Sequence, residues 1–72
     1  MVSEVQSVIF AHQYWSTTQA RKWLRKHKFV WNSKVDIKPN FIRFLQFDPS
    51  RYKKYRIKKI KPTVELVIGY KR

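Results

Sequence analysis

STTQARKWLRKHK, residues Ser16–Lys28, is the stretch that decides the fold. Ser16 is a favoured helix N-cap residue. Gln19, three residues on, completes a capping-box pattern in which each side chain serves the other's backbone N–H. Ala20, Trp23, Leu24 and His27 recur at the i, i+3, i+4, i+7 spacing of one helical face. Arg21, Lys22, Arg25, Lys26 and Lys28 fill the remainder, several of them near the C-terminus where the helix dipole favours cations. The stretch therefore reads as one amphipathic helix with an apolar stripe and a cationic outer face. Such a stripe requires a second layer to bury it.

Outward from the helix, the chain reads as strands. VQSVIFA, Val5–Ala11, is rich in β-branched and aromatic residues. Simple alternation puts Val8 and Phe10 on one face and Val5 and Ile9 on the other, so both faces are partly apolar and an inner strand is expected. After the helix, Phe29–Asn40 reads as a connection with a short extended piece around Val35 and Ile37, closed by the Pro39-Asn40 turn signal. FIRFLQF, Phe41–Phe47, is the next strand, with Phe41, Arg43, Leu45 and Phe47 on one face and Ile42, Phe44 and Gln46 on the other. Asp48-Pro49 resembles an N-cap followed by proline at the first helical position, so a turn is expected to about Tyr52. Tyr55–Ile60 reads as a strand with Lys54, Arg56 and Lys58 pointing one way and Tyr55 and Ile57 the other. Lys59 and Ile60 break that alternation, which signals a bulge or an early end. Pro62-Thr63 turns the chain into VELVIGY, Val64–Tyr70, the last strand. The order is β-α-β-β-β: an α+β fold with one helix on a small, mostly antiparallel sheet. Residues 1–72 form a single domain with an ordered core over about 5–70.

Domains of this length bury only about 60% of their unfolded surface and need a staple. There is no cysteine, and His12 and His27 stand without thiols or carboxylate pairs, so neither disulfide nor metal is expected to supply it. The aromatic residues, 17% of the chain, are the remaining means, and they also argue against disorder. No run approaches a membrane span, and the absence of a basic residue before Arg21 does not fit a signal peptide.

The formal charge is +13, from 17 basic and 4 acidic residues. Between Arg51 and Lys61 lie Arg51, Lys53, Lys54, Arg56, Lys58, Lys59 and Lys61, with no acid among them. Tyr52, Tyr55, Ile57 and Ile60 are interleaved, which lets the segment fold and hold its charge on a fixed surface. A fixed surface of that sign calls for a polyanion, and nucleic acid is the commonest. The candidate phosphate contacts are these seven residues with Arg21, Lys22, Arg25, Lys26 and Lys28 of the helix; the competing reading is a solvated face. Tyr52 and Tyr55, flanked by cations, are the first candidates for stacking on bases, followed by Tyr14, Trp15 and Trp31. Packing in the core or at its rim competes for all five. Arg43 is expected either to reach phosphate or to pair with Asp36, Asp48 or Glu65.

SVIF, QARKWLRKHKF, FIRFLQFDPSRYKKYR and LVIGY, taken in order, resemble a small module of tailed-bacteriophage and giant double-stranded DNA virus proteins. The resemblance spans about residues 5 to 70. In size, charge and pattern the chain is most similar to the basic core proteins of mimivirus-lineage giant viruses, which are implicated in condensing the genome. That resemblance implies a virion core or nucleoid location and an infected host cell.

The expected function is non-sequence-specific binding of DNA, double-stranded in the first instance, and its condensation by phosphate neutralisation and bridging. Dense assemblies or phase-separated droplets would follow from excess charge and multivalency. RNA binding, a ribosome-associated role, docking onto an acidic viral protein and a membrane-surface role remain open alternatives. Self-association through an exposed edge strand is a further expectation. Enzymatic activity is not expected. Glu4, Asp36, Asp48 and Glu65 are scattered, no thiol nucleophile exists, and one glycine cannot build a phosphate-binding loop.

Overall fold

The computed structural model describes residues 3–32 and 35–71. Helix α1 runs Thr17–Lys26, and Ser16 caps it as the sequence suggests: its Oγ accepts from the Gln19 backbone N–H at 3.2 Å, while Gln19 Oε1 accepts from Ser16 N–H at 3.0 Å. A cap of this kind is worth about 1 kcal/mol. The other end closes without a glycine. Lys28 takes a left-handed φ of 63°, its N–H donates to the Arg25 carbonyl, and the Phe29 N–H donates to the Leu24 carbonyl at 2.8 Å. This is a Schellman closure, with Phe29 folded back onto the core beside Leu24.

The strands are β1 (Ser3–Ala11), β2 (Val35–Ile37), β3 (Phe41–Leu45), β4 (Tyr52–Lys61) and β5 (Val64–Lys71). They form one antiparallel sheet in the order β2-β3-β1-β5-β4. The short extended piece at Val35–Ile37 is thus a fifth strand at one edge. The first strand in sequence is the central one, in keeping with its two partly apolar faces.

Helix α1 lies on one face of this sheet. Ala20 and Leu24 pack with Val8 and Phe10 of β1, Ile42 and Phe44 of β3 and Val64 of β5, all fully buried. Phe10 is the hub of the ring contacts, at 4.9 Å from Trp15, 5.6 Å from Trp23 and 5.8 Å from Phe44. Trp15 is fixed further by its indole N–H, which donates to Thr63 Oγ1 at 2.9 Å. Aromatic packing around Phe10 thus supplies a staple in a chain without cysteine.

Three bulges depart from simple alternation. In β1 the register slips between Val5 and Ser7, leaving Gln6 as the extra residue. The slip turns Val5 onto the helix side, against the core, and corrects its expected grouping with Ile9. Gln6 then accepts the N–H groups of Gln46 and Phe47 on its carbonyl, which ends β3 at Leu45 instead of Phe47. In β4 the register slips at Lys53 and again at Ile60, the second being the break read from the sequence. The strand nevertheless continues to Lys61 and starts at Tyr52, before the expected Tyr55. Lys71 belongs to β5, while Arg72 lies outside the described residues.

Asp48 caps the 3-10 turn Pro49–Arg51, its Oδ1 accepting from the Ser50 N–H at 2.9 Å. That turn carries the chain from β3 across the end of the sheet to β4.

Candidate nucleic-acid interface

The register assigns every β4 side chain to a face. Lys54, Arg56, Lys58 and Lys61 stand opposite Tyr70, Ile68, Leu66 and Val64, which share the helix side of the sheet with Val8. Tyr52, Tyr55, Ile57 and Lys59 stand on the other side, and Lys53 and Ile60 occupy the bulges. Apart from Tyr52, the whole strand is exposed. Part of the strand segment therefore shares the helix side of the sheet with the α1 cations, namely Lys54, Arg56, Lys58 and Lys61, while Lys59 stands on the opposite face.

On that side the helix cations differ in how firmly they are held. Arg21 donates to the Trp31 carbonyl and lies 5.2 Å from the centre of the Phe44 ring. Arg25 lies over Trp31 at 5.6 Å. Thr18, Arg21, Lys22, Arg25 and Trp31 line a shallow hollow of about 210 Å³. Lys54 rests its ammonium 5.6 Å from the Tyr70 ring centre. The side chains of Lys22, Lys26, Lys28, Lys53, Arg56, Lys58, Lys59 and Lys61 make no hydrogen bond or ion pair with the described residues, so their ammonium and guanidinium groups face solvent. Arg51 is different. It pairs with Glu4 at 3.4 Å and stacks over Phe47 at 4.6 Å, which makes it a fastener of the sheet end as much as a free cation.

The acids are segregated from this side. Glu4, Asp36 and Glu65 stand on the face away from the helix, opposite Gly69, Arg43 and Ile9 in the pairing, and Asp48 is in the turn. No carboxylate belongs to α1 or to β4. A cationic side without internal counter-charge keeps its full field for an external anion.

Tyr52 corrects the reading of the aromatics. It is only 4% exposed, lies across Gly69, and donates its hydroxyl to Glu4 Oε1 at 2.7 Å, so it has no free ring face for a base. Burial and the Glu4 carboxylate push its phenol up to about 12. Tyr55, Trp31 and Tyr14 keep 44%, 40% and 65% exposure, with Tyr55 edge-on against Tyr52 at 5.7 Å and Arg25 over Trp31. Trp15 is packed on Phe10. Arg43 pairs with neither Asp48 nor Glu65. Its guanidinium lies along the sheet and donates to Ser7 Oγ at 3.1 Å and Gln6 Oε1 at 3.0 Å, satisfying two polar side chains that are fully buried. Asp36, directly opposite Arg43 in the β2–β3 pairing, closes an ion pair with Lys38 instead. His12 and His27 each bond a backbone carbonyl through Nδ1.

Glu4 is the residue that sequence reading passed over. One carboxylate receives Tyr52, Arg51 and Lys71, tying the start of β4 and the end of β5 to β1. The Tyr52 hydrogen bond, helped by Arg51 and Lys71, holds its carboxyl below the usual range despite partial desolvation. The Ser50 backbone N–H does the same for Asp48. Groups depressed in the folded state add stability above their unfolded pKa, and that stability is lost as pH falls through the folded value. The melting temperature is thus expected to hold from neutral pH to about 5 and to drop below about 4. Glu4→Gln should start lower and show a flatter acid limb. Tyr52 acts in the opposite sense: its contribution is present below about 10 and lost between about 10 and 12. Thermal melts of the two proteins across pH check both limbs.

Among the described residues no group of three or more His, Asp or Glu side chains is placed to hold a metal, and no helix is long and apolar enough to cross a membrane. Comparison with protein-family models, curated proteins and solved structures returned no match.

Proposed function

We propose that this chain binds duplex DNA without sequence preference and condenses it, as a component of the virion core or nucleoid of a large DNA virus. The observation that carries the reading is the one-sided charge. Arg21, Lys22, Arg25, Lys26 and Lys28 of the helix segment lie on the same side as Lys54, Arg56, Lys58 and Lys61 of β4, with no carboxylate between them. Phosphate contacts supply affinity and positioning but carry no sequence information. Successive same-side cations of a strand are about 6.8 Å apart and roughly linear, a geometry suited to following a backbone. The helix presents its flank and C-terminal half as a cationic ridge, and no base-reading motif accompanies it.

If about six phosphates are contacted, the log–log salt slope is about −5, and affinity falls roughly a thousandfold between 50 and 200 mM salt. The test is a salt series on random duplex DNA, single-stranded DNA and RNA of equal length, with light scattering followed to charge neutrality. Steep salt dependence, indifference to sequence and scattering near neutrality are expected for duplex DNA. Shallow, weak binding to all three would overturn the proposal, and a clear preference for structured RNA would reassign the polyanion.

A further inference from the structure

We propose that two copies of this chain pack back to back through the open face of the sheet, about a twofold axis that runs along β1. The helix covers one face only. Across the other, the pairing registers place Asp36, Arg43, Ile9, Glu65 and Lys59 side by side in one row, from β2 through β3, β1 and β5 to β4. The charges in that row read minus, plus, neutral, minus, plus. A twofold axis along β1 reverses the row on the partner. Arg43 then meets Glu65 of the second copy, Asp36 meets Lys59, and Ile9 meets Ile9. The row is thus complementary to its own reverse, the property that an isologous interface requires.

The neighbouring row carries apolar groups. Leu45, Ser7, Val67 and Ile57 lie side by side, but Ser7 and Val67 are already buried within the monomer, so this row offers chiefly Leu45 and Ile57 at its margins. Ile57 is 60% exposed on this face, and Tyr55, edge-on against Tyr52 at 5.7 Å, keeps 44% exposure. Aligned sheets pack at about −30°, which keeps central pairs opposed and splays the edges, so the Arg43–Glu65 pair and Ile9 matter more than the Asp36–Lys59 pair.

Other modes of self-association are poorer. Edge-to-edge pairing through β4 would bring its lysines and arginines against their own copies, and β2 offers only three residues. The row Asp36, Arg43, Ile9, Glu65 and Lys59 is itself neutral in sum, although the chain carries +13. Four strands by five residues give a footprint of roughly 19 by 17 Å. That is well short of the about 800 Å² per partner of a standard interface, so the dimer is weak and concentration-dependent.

The experiment is sedimentation of the full chain without nucleic acid, up to about 0.5 mM, in about 0.3 M salt to screen the net charge. Wild type should pass from monomer to dimer across the series. Glu65→Arg sets like charges opposite each other twice, by symmetry, and should weaken the dimer roughly a hundredfold. Arg43→Glu should do the same. An equimolar mixture of the two variants should recover dimer, because each mixed pair is again of opposite charge. If Arg43→Glu fails to fold, for it also serves Gln6 and Ser7, the Asp36→Lys and Lys59→Glu variants provide the second mixing test. Wild type that stays monomeric overturns the proposal. So does a dimer indifferent to Glu65→Arg, or foldable variants whose mixture recovers nothing. Perturbation of Ile9 and Tyr55 resonances by a short single-stranded oligonucleotide, with no dimer, would also overturn it and give the face to nucleic acid.

A back-to-back dimer turns its two cationic sides outward in opposite directions. Resting on the DNA-binding reading, this lets one dimer bridge two duplexes. Glu65→Arg should then keep its affinity for DNA while compaction falls, a result separable from failure of DNA binding itself.

Discussion

Reversing charge at Lys54, Arg56 and Lys58 together lowers affinity for every duplex sequence alike, by roughly several hundredfold at about 0.1 M salt. The three side chains stand in one row on the helix side of β4 and are exposed. Each phosphate contact releases about 0.9 counter-ion, a factor of roughly eight at that ionic strength, so three lost contacts multiply to several hundred. The salt slope should fall with them, from about −5 to about −2. The fold should survive, since Lys54 contributes only an exposed cation–ring contact and Arg56 and Lys58 touch no described counter-charge. Filter binding on several unrelated duplexes, with thermal melts as the control, measures both. Loss confined to one sequence would contradict a phosphate-only interface. An unchanged slope would remove β4 from the interface and leave the helix alone.

Gly69→Ala is expected to cost about 3 kcal/mol, near the upper end for overpacking. The Tyr52 ring lies flat on Gly69: a Cβ added there would come within 2.5 Å of Tyr52 Cγ and 2.6 and 2.7 Å of its two Cδ atoms. The crowded atoms belong to the root of the ring, which cannot swing away as a flexible tip would. At the far end the hydroxyl is held by Glu4. For a domain of this size, 3 kcal/mol corresponds to a loss of roughly 12–24 °C in melting temperature. The decisive control is the pair. In a Tyr52→Ala background the added methyl meets empty space, so the second substitution should cost far less than the first, and the two effects should fail to add. Additive losses, or a Gly69→Ala shift of only a few degrees, would show that the ring has room to move.

The helix was legible in the sequence because its determinants are local. The capping box, the apolar stripe and the cationic flank all lie within thirteen residues. The same holds for the alternation of β4, where Lys54, Arg56 and Lys58 part from Tyr55 and Ile57 as expected. What alternation does not contain is the side on which each set falls. That depends on the β4–β5 and β5–β1 registers, which put Lys54, Arg56 and Lys58 on the face of the sheet that carries the helix. Val5 was misassigned because the Gln6 bulge answers to Gln46 and Phe47, forty residues away. Tyr52 is a stacking candidate, against the competing reading of core or rim packing, because cations surround it in sequence. Its environment is built by Glu4 and Gly69, neither of them near it in sequence. For Arg43 the sequence offers phosphate or a carboxylate of Asp36, Asp48 or Glu65, whereas the buried amide and hydroxyl of Gln6 and Ser7 have the stronger need for donors.

The position of β1 bears on how the chain is made. Of the five strands it is synthesised before the other four, and it is the central strand of the finished sheet, with β3 on one side and β5 on the other. From Ala11 to Val64 is 53 residues (64 − 11), and at typical synthesis rates of about 5–20 residues per second that interval lasts roughly 3–11 s. Throughout it at least one long edge of an apolar strand stays open, and the nascent domain cannot close early on a local subset of contacts. The cationic β4 emerges just before β5 completes the sheet, so like-charge repulsion between neighbouring nascent chains is in place while that edge is still bare.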